Sequence, residues 1–246
     1  MHALTAQQLL ALWETGQVRK PAQRALALLA AACPESSIES LAALSIGRRD
    51  AGLLNLREWA FGPQLAGTSN CPHCGELLEM NFAAAEIRAA DESGPADEFS
   101  LAAGEYEIRF RLPNSFDLLA IERIATGERG ALKEILLERC VLDARCGNEK
   151  IQSSQLPENV IAALSQRMAD ADPQSDVRLA LSCANCLHSW TSVFDIVSFF
   201  WREIDAWARR VFQEVHTLAA CYGWAERDIL VMHPERRAIY LEILTT

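Results

Sequence analysis

Lysine is almost missing from this chain; Lys20, Lys133 and Lys150 are all it has. The other cationic side chains are arginines, which favour ion pairs and protein interfaces over loosely hydrated surface. Positive charge as a whole is scarce, with 23 Lys+Arg against 33 Asp+Glu and a formal net charge of −10. Such a chain lacks the basic face that neutralises phosphates, so nucleic acid is not expected as a partner. Long uncharged apolar runs are also absent, which excludes a transmembrane helix, and no membrane partner is expected. The start, Met1-His2-Ala3-Leu4-Thr5, has no basic stretch leading into an apolar core, so no secretory signal is visible. The chain carries no His-Glu-x-x-His, no phosphate loop and no Gly-x-Ser-x-Gly, and it is expected not to be an enzyme. Asp170, Asp172 and Asp176, around Pro173, read as turn and cap residues rather than a metal cluster. His216 reads as a packed or interfacial histidine rather than a base.

What the chain does have is apolar material and cysteine. Half of its 246 residues are apolar, enough for one large domain or two modest ones. Eight cysteines with no visible signal point to a reducing, cytoplasmic compartment. Four of them form two Cys-x-x-Cys turns, Cys71-Pro72-His73-Cys74 and Cys183-Ala184-Asn185-Cys186. Two residues between cysteines let both thiolates of a tight turn face one metal ion, and two such knuckles complete a tetrahedron. Cys71, Cys74, Cys183 and Cys186 are therefore expected to hold one structural Zn2+ per chain. A compact zinc ribbon spaces its knuckles by roughly 15–20 residues, whereas over a hundred separate Cys74 from Cys183. Either a segment is inserted within the ribbon or the knuckles are unrelated. Four reduced buried thiols, or a redox pair, are the competing readings. A redox motif usually opens a helix in a βαβ setting, which neither knuckle has. His73 and His188 read as solvent-facing, and Cys33, Cys140, Cys146 and Cys221 as core thiols.

The spacing predicts helices from residue 4, over Ala22–Ala32, and from Ser36 to Leu44. A further amphipathic helix ends at Phe61-Gly62, with Arg48, Arg49, Asp50 and Arg57 on a charged face that is either solvated or used for docking. Residues 66–70 read as a loop into the first knuckle. Strands are predicted over 76–82, 99–101, 105–112 and 141–144, and on both sides of the second knuckle. Residues 88–98 read as an acidic exposed loop. Helices are predicted over 116–126, 131–140 and 157–168, with the turn between the first two marked by Gly127 and Gly130. From Asp195 a helix of roughly 27 residues carries Val197, Phe200, Ile204, Trp207, Val211, Val215, Leu218 and Tyr222 on one stripe, and Gly223 stops it. Phe199, Trp201 and Phe212 widen the stripe and, with Arg48 and Arg49, are the candidate partner-binding residues. Two short helices follow. The fold class is α+β, mainly helical. Its expected divisions are an N-terminal helical region (1–66), a first knuckle (67–87), an inserted α/β segment (88–176), a second knuckle (177–194) and a C-terminal helical region (195–246).

Several landmarks recur in a fixed order: Gly47-Arg48-Arg49-Asp50, Phe61-Gly62, the first knuckle, Leu112-Pro113-Asn114-Ser115-Phe116-Asp117, Leu156-Pro157-Glu158, and Ala171-Asp172-Pro173-Gln174. The second knuckle, Phe194-Asp195-Ile196, Trp207-Ala208-Arg209-Arg210, Tyr222-Gly223-Trp224 and Arg236-Arg237-Ala238-Ile239-Tyr240-Leu241 complete the series. Over about residues 40–246 this order resembles the T4-type phage baseplate hub assembly chaperone family, whose relatives occur in phage-tail-like contractile injection systems. The resemblance implies a non-enzymatic role in building the baseplate hub, with hub and spike proteins as partners. A permanent baseplate component and a nucleic-acid-binding zinc ribbon are the other readings.

Overall fold

The computed structural model describes residues 1–89, 98–124 and 129–245, and the fold is α+β and mainly helical. Most of the acidic stretch predicted as a loop, and the turn at Gly127, lie outside the described residues. Helix α1 (Ala6–Gly16) opens on a capping box: the Thr5 hydroxyl accepts from the Gln8 N–H and the Gln8 side chain accepts from the Thr5 N–H. Helix α2 (Pro21–Ala32) starts on a proline, whose missing N–H costs nothing there. Helix α3 (Ile38–Ala43) and α4 (Ile46–Phe61) are capped by Ser37 and Ser45.

Two antiparallel hairpins carry the knuckles. Strand β1 (Gln64–Asn70) pairs with β2 (Leu77–Ala83), so residues 66–70 are strand rather than the predicted loop. The composition Gly67-Thr68-Ser69-Asn70 suits a turn, but register with β2 imposes the extended form. Strands β3 (Phe99–Ala103), β4 (Tyr106–Phe110), β5 (Val141–Cys146) and β6 (Glu149–Lys150) form an antiparallel sheet in that order. Helices α5 (Ser115–Ile124) and α6 (Arg129–Cys140) stand between β4 and β5, and α7 (Glu158–Ala171) follows the sheet. Gly130 thus falls inside α6. The second hairpin is β7 (Arg178–Ser182) with β8 (Ser189–Val193). Helix α8 (Ile196–Tyr222) has 27 residues and ends at Gly223 in the left-handed conformation. Helices α9 (Glu226–Val231) and α10 (Pro234–Thr245) close the chain.

Three apolar clusters result. The largest joins α2 and α4 to the first half of α8, with Leu53, Leu65, Phe200 and Ile204 fully enclosed. A second lies between the four-stranded sheet, α6 and α7, around Ile108, Phe110 and Leu164. The third packs the second half of α8 against α1, α9 and α10. Helix α8 therefore spans two clusters, which its length of about 40 Å allows.

The expected solvated charged face of α4 is corrected by the structure. Arg57 is 2% exposed and Arg49 4% exposed. Arg57 donates to both Glu203 carboxylate oxygens (2.8 and 2.6 Å), to the Gly62 carbonyl (2.7 Å) and to the Gln64 carbonyl (2.6 Å). A buried guanidinium is tolerable when its donors are matched in this way. The bonds fasten α4, the root of the first hairpin and α8 to one another. The root of the second hairpin is fastened by Asp172, whose carboxylate accepts from the Gly47 N–H (2.8 Å) and the Ser45 hydroxyl (3.1 Å). Asp172 is a cap, as its sequence context suggested, and the helix it caps is the distant α4. A Cβ at Gly47 would stand 2.1 Å from that carboxylate, so the position requires glycine. In the segment between, Asp117 is fully buried and accepts from Arg111, Arg139 and the Asn114 N–H. Burial pushes its carboxyl up, but these donors outweigh burial and hold it below the usual carboxylate range.

Candidate metal centre

The two knuckles have one backbone plan. In the first, the Cys71 N–H donates to the Glu76 carbonyl (2.8 Å) and the Gly75 N–H to the Cys71 carbonyl (2.9 Å). In the second, the Cys183 N–H donates to the His188 carbonyl (2.9 Å) and the Leu187 N–H to the Cys183 carbonyl (2.9 Å). Each turn closes through a left-handed residue after its second cysteine, Gly75 at φ +77° and Leu187 at φ +60°. The hairpins meet at their roots as well. Phe82 of β2 and Phe194 after β8 contact edge to face at 5.8 Å, and Phe194 packs on Phe199 of α8 at 5.2 Å.

Fixed at the roots, the hairpins bring their tips together. Cys71 and Cys186 sulfurs are 3.6 Å apart, as are those of Cys74 and Cys183, and all four lie within 4.8 Å of one another. The knuckles thus share one site despite a sequence separation of 109 residues between Cys74 and Cys183. At 3.6 Å these are not disulfides, whose S–S bonds are about 2.05 Å. Tetrahedral Zn2+ with Zn–S bonds of about 2.3 Å sets its sulfurs about 3.8 Å apart. The four sulfurs fit that group. They could hold a metal ion such as zinc.

The thiol electrostatics support the same conclusion. Burial opposes ionisation of Cys71, which is 2% exposed, but the Cys74 and His73 N–H groups and the neighbouring sulfurs bring its thiol down to about 7. The Cys186 thiol is favoured by the His188 N–H, yet burial and the other three cysteines push it up to about 12. Cys74 is raised too: the Glu76 N–H pulls it down, but burial and the sulfurs of Cys183 and Cys71 outweigh that pull. Four thiols this close cannot all ionise unless a cation compensates them, and a divalent ion would do so.

His73 and His188 are exposed and stack across the two tips at 5.5 Å, and His188 also stacks on Trp190 at 6.1 Å; the four-ligand cluster consists of cysteines alone. Of the other cysteines, Cys140 is buried, with its thiol pushed up to about 12, chiefly by burial. Cys33 and Cys146 are half-buried. Cys221 is exposed and is not the core thiol expected of it. His216 is exposed.

Most of the candidate partner-binding residues are interior. Phe199 and Trp201 are each 8% exposed, with Arg24 stacked over Trp201 at 4.4 Å. Arg49 is buried beside Asp50 at 2.7 Å. Phe212 is half-buried against Trp13 at 5.4 Å, and Arg48 is half-buried. The stripe on α8 is wide because α8 is covered by α2, α4 and hairpin residues on one half and by α1, α9 and α10 on the other. Arg57 was missed as an anchor, since its partners are Glu203 on α8 and the carbonyls of Gly62 and Gln64 at the entry to β1.

A family model described as T4 bacteriophage base plate protein matches residues 4–201, a span containing both knuckles and the start of α8. No curated protein and no solved structure gives a match to the chain.

Proposed function

The chain belongs to the family of T4 bacteriophage base plate proteins, and from that premise we propose that it is a non-enzymatic assembly factor for the baseplate hub of a contractile tail or injection system. It acts in the cytoplasm of the bacterial host or producer by binding hub and spike proteins during assembly. The family match over residues 4–201 carries this reading. Its metal site supports it in chemical terms. Cys71, Cys74, Cys183 and Cys186 would hold one zinc, and four sulfur ligands complete a tetrahedral shell with no position left for a reacting water. The ion's work is then to clamp two hairpins, and through their roots the helices that carry them.

Co-expression with tagged hub and spike proteins of the same gene cluster tests the reading. Co-purification with one of them is the expected result; failure with all of them overturns it. Mass spectrometry of purified particles separates an assembly factor from a permanent part. Absence from the finished particle is expected, and stoichiometric presence would make the chain a structural baseplate component instead.

A further inference from the structure

The two hairpins approach each other at their tips through the four cysteines and at their roots through Phe82 and Phe194. The notch between them, about 640 Å³, is lined by successive residues of β2 (79–82) and by Val177 with the successive β7 residues 178–181. Successive residues, rather than alternate ones, line a space that a strand borders with its edge. Ladder parity gives the same answer. On β2, the Cys71–Glu76 and Ala84–Pro63 bonds fix the phase, so Leu78, Met80 and Phe82 bond to β1. The N–H and C=O groups of Glu79 and Asn81 then point away from β1. On β7, the Cys183–His188 and Phe194–Val177 bonds set Leu179 and Leu181 toward β8. The backbone groups of Arg178 and Ala180 point away from β8 and have no partner among the described residues, as is true of Glu79 and Asn81.

The floor of the notch is held in place. The Gln174 side chain donates to the Ile87 carbonyl (3.2 Å) and accepts from the Ala89 N–H (2.7 Å). Side chains alternate in step on the two walls. Met80, Phe82, Leu179 and Leu181 are half-buried, while Glu79, Asn81, Arg178 and Ala180 are exposed. The arginines at the notch already have partners: Arg88 bonds Asn55 and Glu58, and Arg178 bonds Asp176. The Glu79 carboxylate has none among the described residues, so the wall is left acidic.

Two facing rows of unpaired backbone groups specify another backbone as occupant. We propose that the notch takes an extended segment of a partner baseplate protein as an added strand. That segment is apolar at alternate positions, toward Met80, Leu179 and Leu181, and carries a lysine or arginine opposite Glu79. This rests on the reading that the chain binds other baseplate proteins.

Hydrogen exchange on the full chain, alone and in complex with a hub or spike protein of the same gene cluster, tests it. The amides of Glu79, Asn81, Arg178 and Ala180 should exchange fast in the free chain and at least about tenfold more slowly in the complex. Ala180→Pro removes an N–H that the β7–β8 ladder does not use. It should keep the metal and weaken binding by roughly tenfold, while Ala180→Val binds as the parent does. An intact complex with unchanged exchange at those four amides overturns the inference and leaves the assembly role standing. Parent-like binding by Ala180→Pro does the same, and if that variant loses its metal the exchange result decides. Protection that rises with concentration in the chain alone assigns the notch to a second copy and overturns the proposal. No complex with any hub or spike protein overturns both.

Discussion

The two knuckle hairpins share a backbone but differ in what supports them. The first is rooted through Arg57, a side chain from the helix before it, which holds the Gln64 carbonyl and Glu203 together. The second is rooted through Asp172, which precedes it in sequence and reaches back to cap α4. The first closes its turn with Gly75, where a Cβ would meet nothing within 4 Å; the second uses Leu187, which is 83% exposed. The paired sulfurs need only the common backbone. The roots and turn residues can differ, and each difference predicts a separate outcome.

The largest effect should come from the feature the hairpins share. Cys71→Ser and Cys183→Ser should each abolish zinc binding, to the same extent, since three sulfurs remain in both cases. Metal analysis beside far-UV circular dichroism should show zinc lost and most helical signal kept, because the helices have their own cores. Retention of metal by one variant only would break the symmetry.

Next is a change confined to one root. Arg57→Ala strips Glu203 and two carbonyls of their donor and should cost about 3 kcal/mol in denaturant unfolding. Hydrogen exchange should quicken in β1 and β2 more than in β7 and β8. Uniform quickening in both hairpins would mean that the roots are not independent.

The turn residues come third. The left-handed conformation costs a β-carbon residue about 1–2 kcal/mol, and asparagine is among the residues that tolerate it best. Gly75→Leu should therefore lower stability by about 1 kcal/mol and Leu187→Asn raise it by about 0.5 kcal/mol. A loss of stability with Leu187→Asn would show that this leucine supports the fold.

The smallest effect depends on pH. Burial pushes the Asp50 carboxyl up to about 6; Arg49 opposes this, while Asp195 and Asp172 add to the rise. The folded chain holds this proton more tightly than the unfolded one, whose value is near 3.8. Asp50 therefore makes stability fall as pH rises from about 4 to about 6, with no further change above. Asp50→Asn should flatten that slope in thermal melts across the interval; an unchanged slope would remove Asp50 as its source.

Much of this was legible from spacing. The Cys-x-x-Cys pairs named the four cysteines that come together, and apolar periodicity with Gly223 bounded α8 nearly to the residue. What was not legible depends on partners far away in sequence. Strand β1 has turn-like residues and is extended only because β2 pairs with it. Arg57 looks like surface charge until Glu203, 146 residues on, and the Gly62 and Gln64 carbonyls are in place. Phe199 and Trp201 look like spare apolar surface until the α2 and α4 helices and the hairpin roots cover them. Whether the knuckles meet could not be read from the ligands themselves, because the roots on α4 and α8 decide it.

Zinc-edge X-ray absorption on protein purified without chelator tests the shared centre most directly. Four Zn–S distances of about 2.3 Å at one zinc per chain are predicted. A shell mixing sulfur with nitrogen or oxygen, or protein without metal, would contradict a single ion closing both hairpins.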